Sequence, residues 1–490
     1  MNTKTYDVII IGAGFAGIGA AIKLKLNGFS DFILLEKSSE IGGVWRDNTY
    51  PGCACDVPSY VYSYSFEPKN DWLNICAPQK QIFDYLKHCV KKYGIEKHII
   101  TNSNIITTKF NKSKSSWKIS DNNGQNYYAT LMISSTGGIN EPLIPDIKGI
   151  NNFKGTIFHS AKWNHSFNLS NKKIAVVGTG ASSIQFVPEI AKKVLKLTLF
   201  QRTPAWILPR HNTEILESSQ KRFKRFPLYL KFWREYIYWI LEIVGLFRYP
   251  NSIIAKIINK RVMNYLKSSI TNLELRKRLK PNYQVGCKRI LYSNEFYPTL
   301  NLSHVVLNNT GIKEIVENGV IDKKNNKIEC DAIILGTGFK IISFNHYFDC
   351  IGLDKRSLFK EFAVSGGEAY YGMTMNGFPN MIVMVGPNTG LGHNSIIHMM
   401  ESQINYIISY LKNLKKYPKS YFNIKNNVQE LFNKKLQNRL KKMVWSTGCN
   451  SYYLSHFNGK NTTLWPETSF SYRKKTKKMN ISEYDIVKSN

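Results

Sequence analysis

Short, almost wholly apolar runs alternate along the chain with glycine-rich turns and with longer half-apolar stretches, and this alternation predicts its elements. "YDVIII" (6–11) is apolar and β-branched, the pattern of a strand buried on both faces. "GAGFAG" (12–17) follows, then "IGAAIKLKLNG" with apolar positions at helical spacing, then a second strand, "DFILLE", ending at Glu36. The same order of strand, turn, helix and strand returns at "KIAVVG" (173–178), "GTGASS" (178–183) and "LKLTLF" (195–200). Two more strand-like runs enter glycine turns, "LMISSTGG" (131–138) and "CDAIILGTGF" (330–339). Residues 215–285 lack such turns and read as mostly helical, basic and aromatic. The pattern predicts an α/β protein with two Rossmann-like dinucleotide-binding domains. The first is discontinuous, at 1–150 and 341–490, its second part ending in a basic tail. The second is inserted in it at 151–214 and 286–340, and 215–285 forms a helical insert.

The two glycine turns differ in what they would bind. In the first, Gly12 permits the tight turn, Gly14 lets the backbone approach a pyrophosphate, and Gly17 allows close helix packing. Glu36 then stands where a carboxylate accepts hydrogen bonds from ribose hydroxyls. In the second, Gly178 and Gly180 keep the pattern and Ser183 takes the third glycine position. Arg202, with Thr203 beside it, stands as far beyond Gly178 as Glu36 stands beyond Gly12. A carboxylate repels a ribose 2′-phosphate, whereas a guanidinium grips it. The first turn is thus expected to take FAD and the second NADPH rather than NADH. An ordinary surface arginine is the alternative for Arg202.

Composition narrows this picture without naming a partner. At 490 residues the chain exceeds one compact core, and 43% hydrophobic content is ample for folding. The formal charge of +33 is spread along the chain as a general bias. Its densest cluster, "SYRKKTKK" (471–478), reads as a solvated tail, with a membrane or nucleic-acid contact less favoured. The apolar run "YIYWILEIVGLF" (236–247) is shorter than the roughly 20 residues that span a bilayer, so a packed or partly exposed helix is preferred to a membrane-surface anchor. The N-terminus enters a strand at once, leaving no room for a signal peptide. Eight cysteines show no CxxC pair, and Cys53 and Cys55 are poorly spaced for a disulfide, which suits a reducing cytoplasm. HExxH and GxSxG motifs are absent, so neither a metal site nor a hydrolase is expected.

One further stretch, "FKGTIFHSAKWN" (153–164), resembles the fingerprint F-x-G-x-x-x-H-x-x-x-W of the type I Baeyer–Villiger monooxygenases at Phe153, Gly155, His159 and Trp163. "GGVWRDNTYPGCACD" (42–56) resembles a second fingerprint of that family, G-G-x-W, four residues, Y-P-G, three residues, D. "GCKRILYSNEFYP" (286–298) resembles the segment that carries its active-site Lys-Arg pair, and "GPNTGLGHNS" (386–395) its late flavin-domain turn. These segments extend the resemblance over nearly the whole chain. Asn164 follows the fingerprint Trp where Pro or Asp is usual, and Tyr452 stands where many members place a Trp against the nicotinamide cofactor.

The resemblance implies FAD and NADPH as cofactors, a small-molecule ketone and O2 as substrates, and conversion of the ketone to an ester or lactone through a flavin C4a-peroxide. It implies that Arg289 favours the anionic, ketone-attacking form of that peroxide, with Asp56 holding and tuning the guanidinium. Lys288 is a second contact for the 2′-phosphate beside Arg202. Val44, Trp45, Asp56 and Tyr62 are expected at the flavin. An ordinary ion pair is the other reading of Asp56 and Arg289. His159 is read as a packing or hinge residue, with Trp163 anchoring the linker, in preference to a proton-transfer group. The nearest rival is a flavin monooxygenase acting on amine nitrogen or thioether sulfur, whose members typically carry Tyr or Phe in place of Trp163. A flavin disulfide reductase would need a redox-active cysteine pair that the spacing does not supply. A non-catalytic basic protein is the rival outside enzymes; no nucleic-acid partner is expected.

Overall fold

The structure is a computed structural model that describes residues 4–340 and 347–489. Its first sheet is built on the strand Thr5–Ile11, which lies parallel between Phe32–Leu35 and Asn126–Ser134. Ile9 sits opposite Ile33 on one side and Met132 on the other. Val8, Ile9 and Ile10 are fully buried, so the second half of the strand is apolar because both of its faces are covered. Ile99–Ile100 extends the parallel part beyond Phe32–Leu35, while Ser116–Asp121 and Ile105–Asn111 continue antiparallel from Asn126–Ser134. Two late strands return to this sheet: Asp349–Ile351 pairs with Ile105–Asn111, and Met381–Val383 with Asn126–Ser134.

The second sheet is wholly parallel, in the order Val305–Asn308, Lys196–Phe200, Lys173–Val177, Ala332–Leu335, Thr156–His159. All of its strands lie in sequence between the two parts of the first sheet. The fold is therefore two Rossmann-like units, one discontinuous and one inserted in it. The helices Glu217–Arg225, Pro227–Val244, Ile253–Ser269 and Leu273–Leu279 form the insert.

The chain crosses between the units twice, and the crossings lie side by side. Leu143 N–H donates to the Gly338 carbonyl at 2.9 Å, Thr337 Oγ1 donates to the Leu143 carbonyl at 2.5 Å, and Pro142 and Phe339 form an antiparallel bridge. Thus "LMISSTGG" and "CDAIILGTGF" end at one double-stranded hinge. The fingerprint stretch 153–164 is not a free linker: Thr156–His159 is the edge strand of the second sheet. Nor is 471–478 a free tail. Ser469–Lys475 is a helix whose Tyr472 is fully buried, and its hydroxyl donates to the Tyr371 carbonyl at 2.6 Å. A tyrosine at its centre gives this basic stretch an apolar anchor, and Tyr484–Lys488 beyond it pairs antiparallel with Ser420–Ile424. The expected domain boundary at 340/341 borders residues 341–346, which lie outside the described residues.

Candidate active site

The two glycine turns are built alike. Gly12 and Gly178 have φ of 103° and 105°, and an added Cβ would lie 2.7 Å from the Ser135 carbonyl oxygen and 2.4 Å from that of Gly336. Each first glycine is thus needed to pass the end of the neighbouring strand. Gly17 is needed by packing, since its Cβ would fall 1.9 Å from the Gly12 carbonyl oxygen. Gly14 and Gly180 are different. Neither has positive φ, a Cβ on Gly14 would approach only Gly43 Cα at 4.0 Å, and one on Gly180 would meet nothing within 4 Å. Nothing in the protein itself requires glycine there, so the missing side chains leave backbone bare at the helix N-termini, as a pyrophosphate needs. The residues present therefore fit two dinucleotides.

Ser183 opens the helix Ser183–Ala191 but is fully buried, with its Oγ against the position of a Cβ on Gly336. Like Gly17 it closes the helix onto the sheet, and it faces no ligand surface. Glu36 is buried at the end of its strand, where it accepts from Ala13 N–H at 2.9 Å, Ser38 N–H at 3.1 Å and Arg46 Nη1 at 3.2 Å. Its carboxylate is thereby fixed beside the Gly12–Gly14 turn.

Arg202 and Lys288 come together from opposite sides of the insert. Burial and the Arg202 charge both push the Lys288 pKa down, and neither residue forms a salt bridge among the described residues. Two cations that share a surface without a carboxylate suit a phosphate. Thr203 lies alongside, its carbonyl accepting from Thr179 Oγ1 at 3.5 Å.

The segment 42–56 joins the two nucleotide turns. Gly43 faces Gly14, a one-turn helix runs Val44–Asp47, and Trp45 Nε1 donates to Tyr62 Oη at 3.1 Å. The Tyr62 ring meets Phe15 edge-on at 5.4 Å, which brings Trp45 and Tyr62 to the first residue of the nucleotide helix Phe15–Leu26. The far end of the segment docks on the second unit, where Gln185 clamps Ala54 through hydrogen bonds of 3.3 and 3.1 Å.

That docking sets Asp56 against Arg289. Arg289 donates from Nε at 3.2 Å and from Nη2 at 2.8 and 2.7 Å to the two carboxylate oxygens. Burial pushes the Asp56 pKa up, but Arg289 and then Arg210 pull it further down, below the usual carboxylate range. Asp56 in turn holds the proton of Arg289 well above the usual arginine range against burial, with Tyr452 and Tyr453 adding to the effect. Nη1 of Arg289 makes no hydrogen bond among the described residues.

His159 stands apart from this chemistry. Its Nδ1 accepts from Ala161 N–H at 3.0 Å, and burial lowers its pKa, so it is a neutral turn cap. Trp163 packs on Phe158 at 5.1 Å and Phe186 at 5.3 Å, pinning the edge strand to the second nucleotide helix.

Three features had no signal in the motifs. Arg210 donates to the Cys55 carbonyl behind Asp56, and Gln185 forms the clamp described above. Cys287, directly before Lys288, is joined to Cys449 by a disulfide with Cα atoms 6.2 Å apart. The cysteine spacing had pointed to none, because these two lie 162 residues apart in sequence.

A family model described as flavin-binding monooxygenase-like matches residues 5–457. A Baeyer–Villiger monooxygenase of Pseudomonas aeruginosa is 42% identical over 483 residues, covering 98% of this chain and 91% of that one. A Baeyer–Villiger monooxygenase of Streptomyces coelicolor is 38% identical, covering 98% of this chain and 92% of that one. The solved structure of cyclohexanone monooxygenase from Rhodococcus sp. Phi1 bound to NADP+ shares the fold, with a TM-score of 0.88 at 20% identity over 99% of this chain and 100% of that one. With bare glycine turns, paired Asp56 and Arg289 and a match over most of its length, this chain belongs to the flavin-binding monooxygenase-like family.

Proposed function

We propose that the protein is an NADPH- and O2-dependent flavoprotein monooxygenase that converts ketones to esters or lactones. The observation that carries this reading is the bidentate Asp56–Arg289 pair, formed by residues 233 apart in sequence on segments that also reach the two nucleotide turns. Gly12, Gly14 and Glu36 would hold FAD, and Gly178, Gly180, Arg202 and Lys288 would hold NADPH. Bound FAD supplies hydride acceptance and the activation of O2. The protein supplies position and charge. Asp56 takes Nε and Nη2 of Arg289 and so fixes which edge of the guanidinium faces outward. The Nη1 edge presents a permanent positive charge, which stabilises the negative charge that builds on a ketone oxygen under attack. Arg210 backs Asp56 and helps keep it ionised. Trp45 and Tyr62 wall the first nucleotide turn and exclude water beside it.

The test is Arg289→Ala loaded with FAD. It is expected to keep NADPH oxidation while ester formation falls by about 100- to 1,000-fold, the size of one lost charge-stabilising donor. Ester yield per NADPH equal to that of the parent would remove Arg289 from the reaction. Oxygenated thioethers with no ester from any ketone would move the protein to the heteroatom-oxygenating branch.

A further inference from the structure

The insert helix Pro227–Val244 is turned with its polar stripe inward. Arg234, Tyr238 and Glu242, one turn apart, are all buried. Arg234 donates to the Tyr60 carbonyl and Ser63 Oγ, while Glu242 accepts from Asn394 Nδ2 at 2.8 Å and from Ser469. The opposite face is apolar and open. Leu228 and Phe232 are 81% and 64% exposed, and Tyr236, Trp239 and Ile243 at the following turns are about half exposed. A surface helix ordinarily buries the apolar stripe and exposes the polar one. Here the polar stripe is engaged inside, so the outward apolar face belongs to the design of the helix.

This face extends beyond one helix. Phe470 of Ser469–Lys475, itself exposed, meets the Trp239 ring at 5.6 Å. Cations rim it. Arg222, Lys224 and Arg225 are exposed on the preceding helix Glu217–Arg225, and Arg473 and Lys474 on the C-terminal one. Arg225 and Arg473 lie 5.4 Å over the rings of Phe226 and Phe470. Of the exposed carboxylates in this region, Glu217 is paired with Lys221 at 2.9 Å, and Glu235 stands on the helix itself. The apolar run at 236–247 and the basic run at 471–478, far apart in sequence, thus form one surface.

We propose that this face docks the enzyme on an anionic lipid surface. The apolar side chains enter the boundary between headgroups and acyl chains, and the arginines and lysines around them meet lipid phosphates. The cationic rim and the overall charge of +33 favour anionic lipid over a second copy of this equally basic chain. Among the described residues no helix is long and apolar enough to cross a membrane, so the protein would lie on the bilayer. The proposal does not depend on which substrate is oxidised.

The experiment is co-sedimentation of the flavin-loaded enzyme with phosphatidylcholine vesicles containing or lacking phosphatidylglycerol, at low and high salt. The parent is expected to sediment with the acidic vesicles, at least about tenfold more than with neutral ones, and to be released by salt. Phe232→Glu with Trp239→Glu should stay in the supernatant while keeping flavin absorbance and NADPH oxidation in solution, since both side chains are exposed. Lys224→Glu with Arg225→Glu, which leaves the apolar face intact, should lose the preference for acidic vesicles. Parent enzyme that stays in the supernatant at every lipid composition overturns the proposal. Equal binding to neutral vesicles overturns its anionic part. A dimer on size exclusion that the Phe232→Glu, Trp239→Glu variant abolishes, with no vesicle binding, would assign the face to a second copy.

Discussion

Arg202 and Lys288 bring two positive charges to one surface, and burial already makes the lysine charge harder to keep. A doubly charged phosphate relieves both. Arg202→Ala should therefore lower the preference for NADPH over NADH by about tenfold or more, mainly through KM for NADPH, as the loss of a charge-assisted hydrogen bond requires. Steady-state kinetics with both nucleotides check this, and an unchanged preference would return Arg202 to the surface. Asp56→Asn keeps the shape of its partner but removes the charge that fixes Arg289. Ester formation is expected to drop by about 10- to 100-fold with FAD still bound, because a small misplacement of a positioned group costs that much. At this scale the sequence offers candidates most readily where a residue type answers a chemical need. Glu36 and Arg202 were assigned from the ligand each can accept. Ser183 was assigned from its place in a motif, yet it faces Gly336, because the third position of the turn serves helix packing. Arg210 carried no motif, since a guanidinium acting through a backbone carbonyl leaves no spacing to read.

Strands were legible because burial on both faces leaves an apolar run, as in the second half of Thr5–Ile11 and in Ala332–Leu335. The helix Pro227–Val244 was harder to orient. Its apolar run suggested a packed or partly exposed helix without saying which face packs, and Arg234, Tyr238 and Glu242 are the residues inside, held by partners far away in sequence. Beside them lies His398, whose ring meets Tyr238 edge-on at 4.7 Å. Burial, with the Arg234 charge, pushes its pKa down from 6.5 to about 3. The folded protein excludes a proton that the unfolded chain binds below pH 6.5. Stability from this group is therefore complete above that value and is lost as pH falls towards 3. His398→Phe should flatten the fall in unfolding free energy between pH 6.5 and 4 by about one proton's worth of slope. Urea unfolding of both proteins at several pH values reads this directly, and parallel curves would contradict it. The basic stretch 471–478 was misread for a related reason. Lysine and arginine dominate its composition, but Tyr472 decides its packing.

Across the whole molecule, two nucleotide units meet at the paired crossings near Leu143 and Gly338 and at the Gln185 clamp on Ala54. The order of the units was readable, because each announces itself with a strand, a glycine turn and a helix. Their contact was not, because it rests on single long-range pairs such as Gln185 with Ala54 and Cys287 with Cys449. Gln185→Ala should loosen the segment that carries Asp56 and lower the ester formed per NADPH consumed by several-fold, the price of a mispositioned site. Comparing product with NADPH use tests this; unchanged coupling would make the clamp incidental. Asp56 and Arg289 are proposed to serve the attack of activated oxygen on a ketone, and this role can be read from the products. The measurement is mass spectrometry of products from a ketone panel turned over with NADPH and oxygen-18 gas. An ester or lactone carrying one labelled oxygen is expected from the parent and almost none from Arg289→Ala. Labelled sulfoxide from thioethers, with no labelled ester from any ketone, would contradict it.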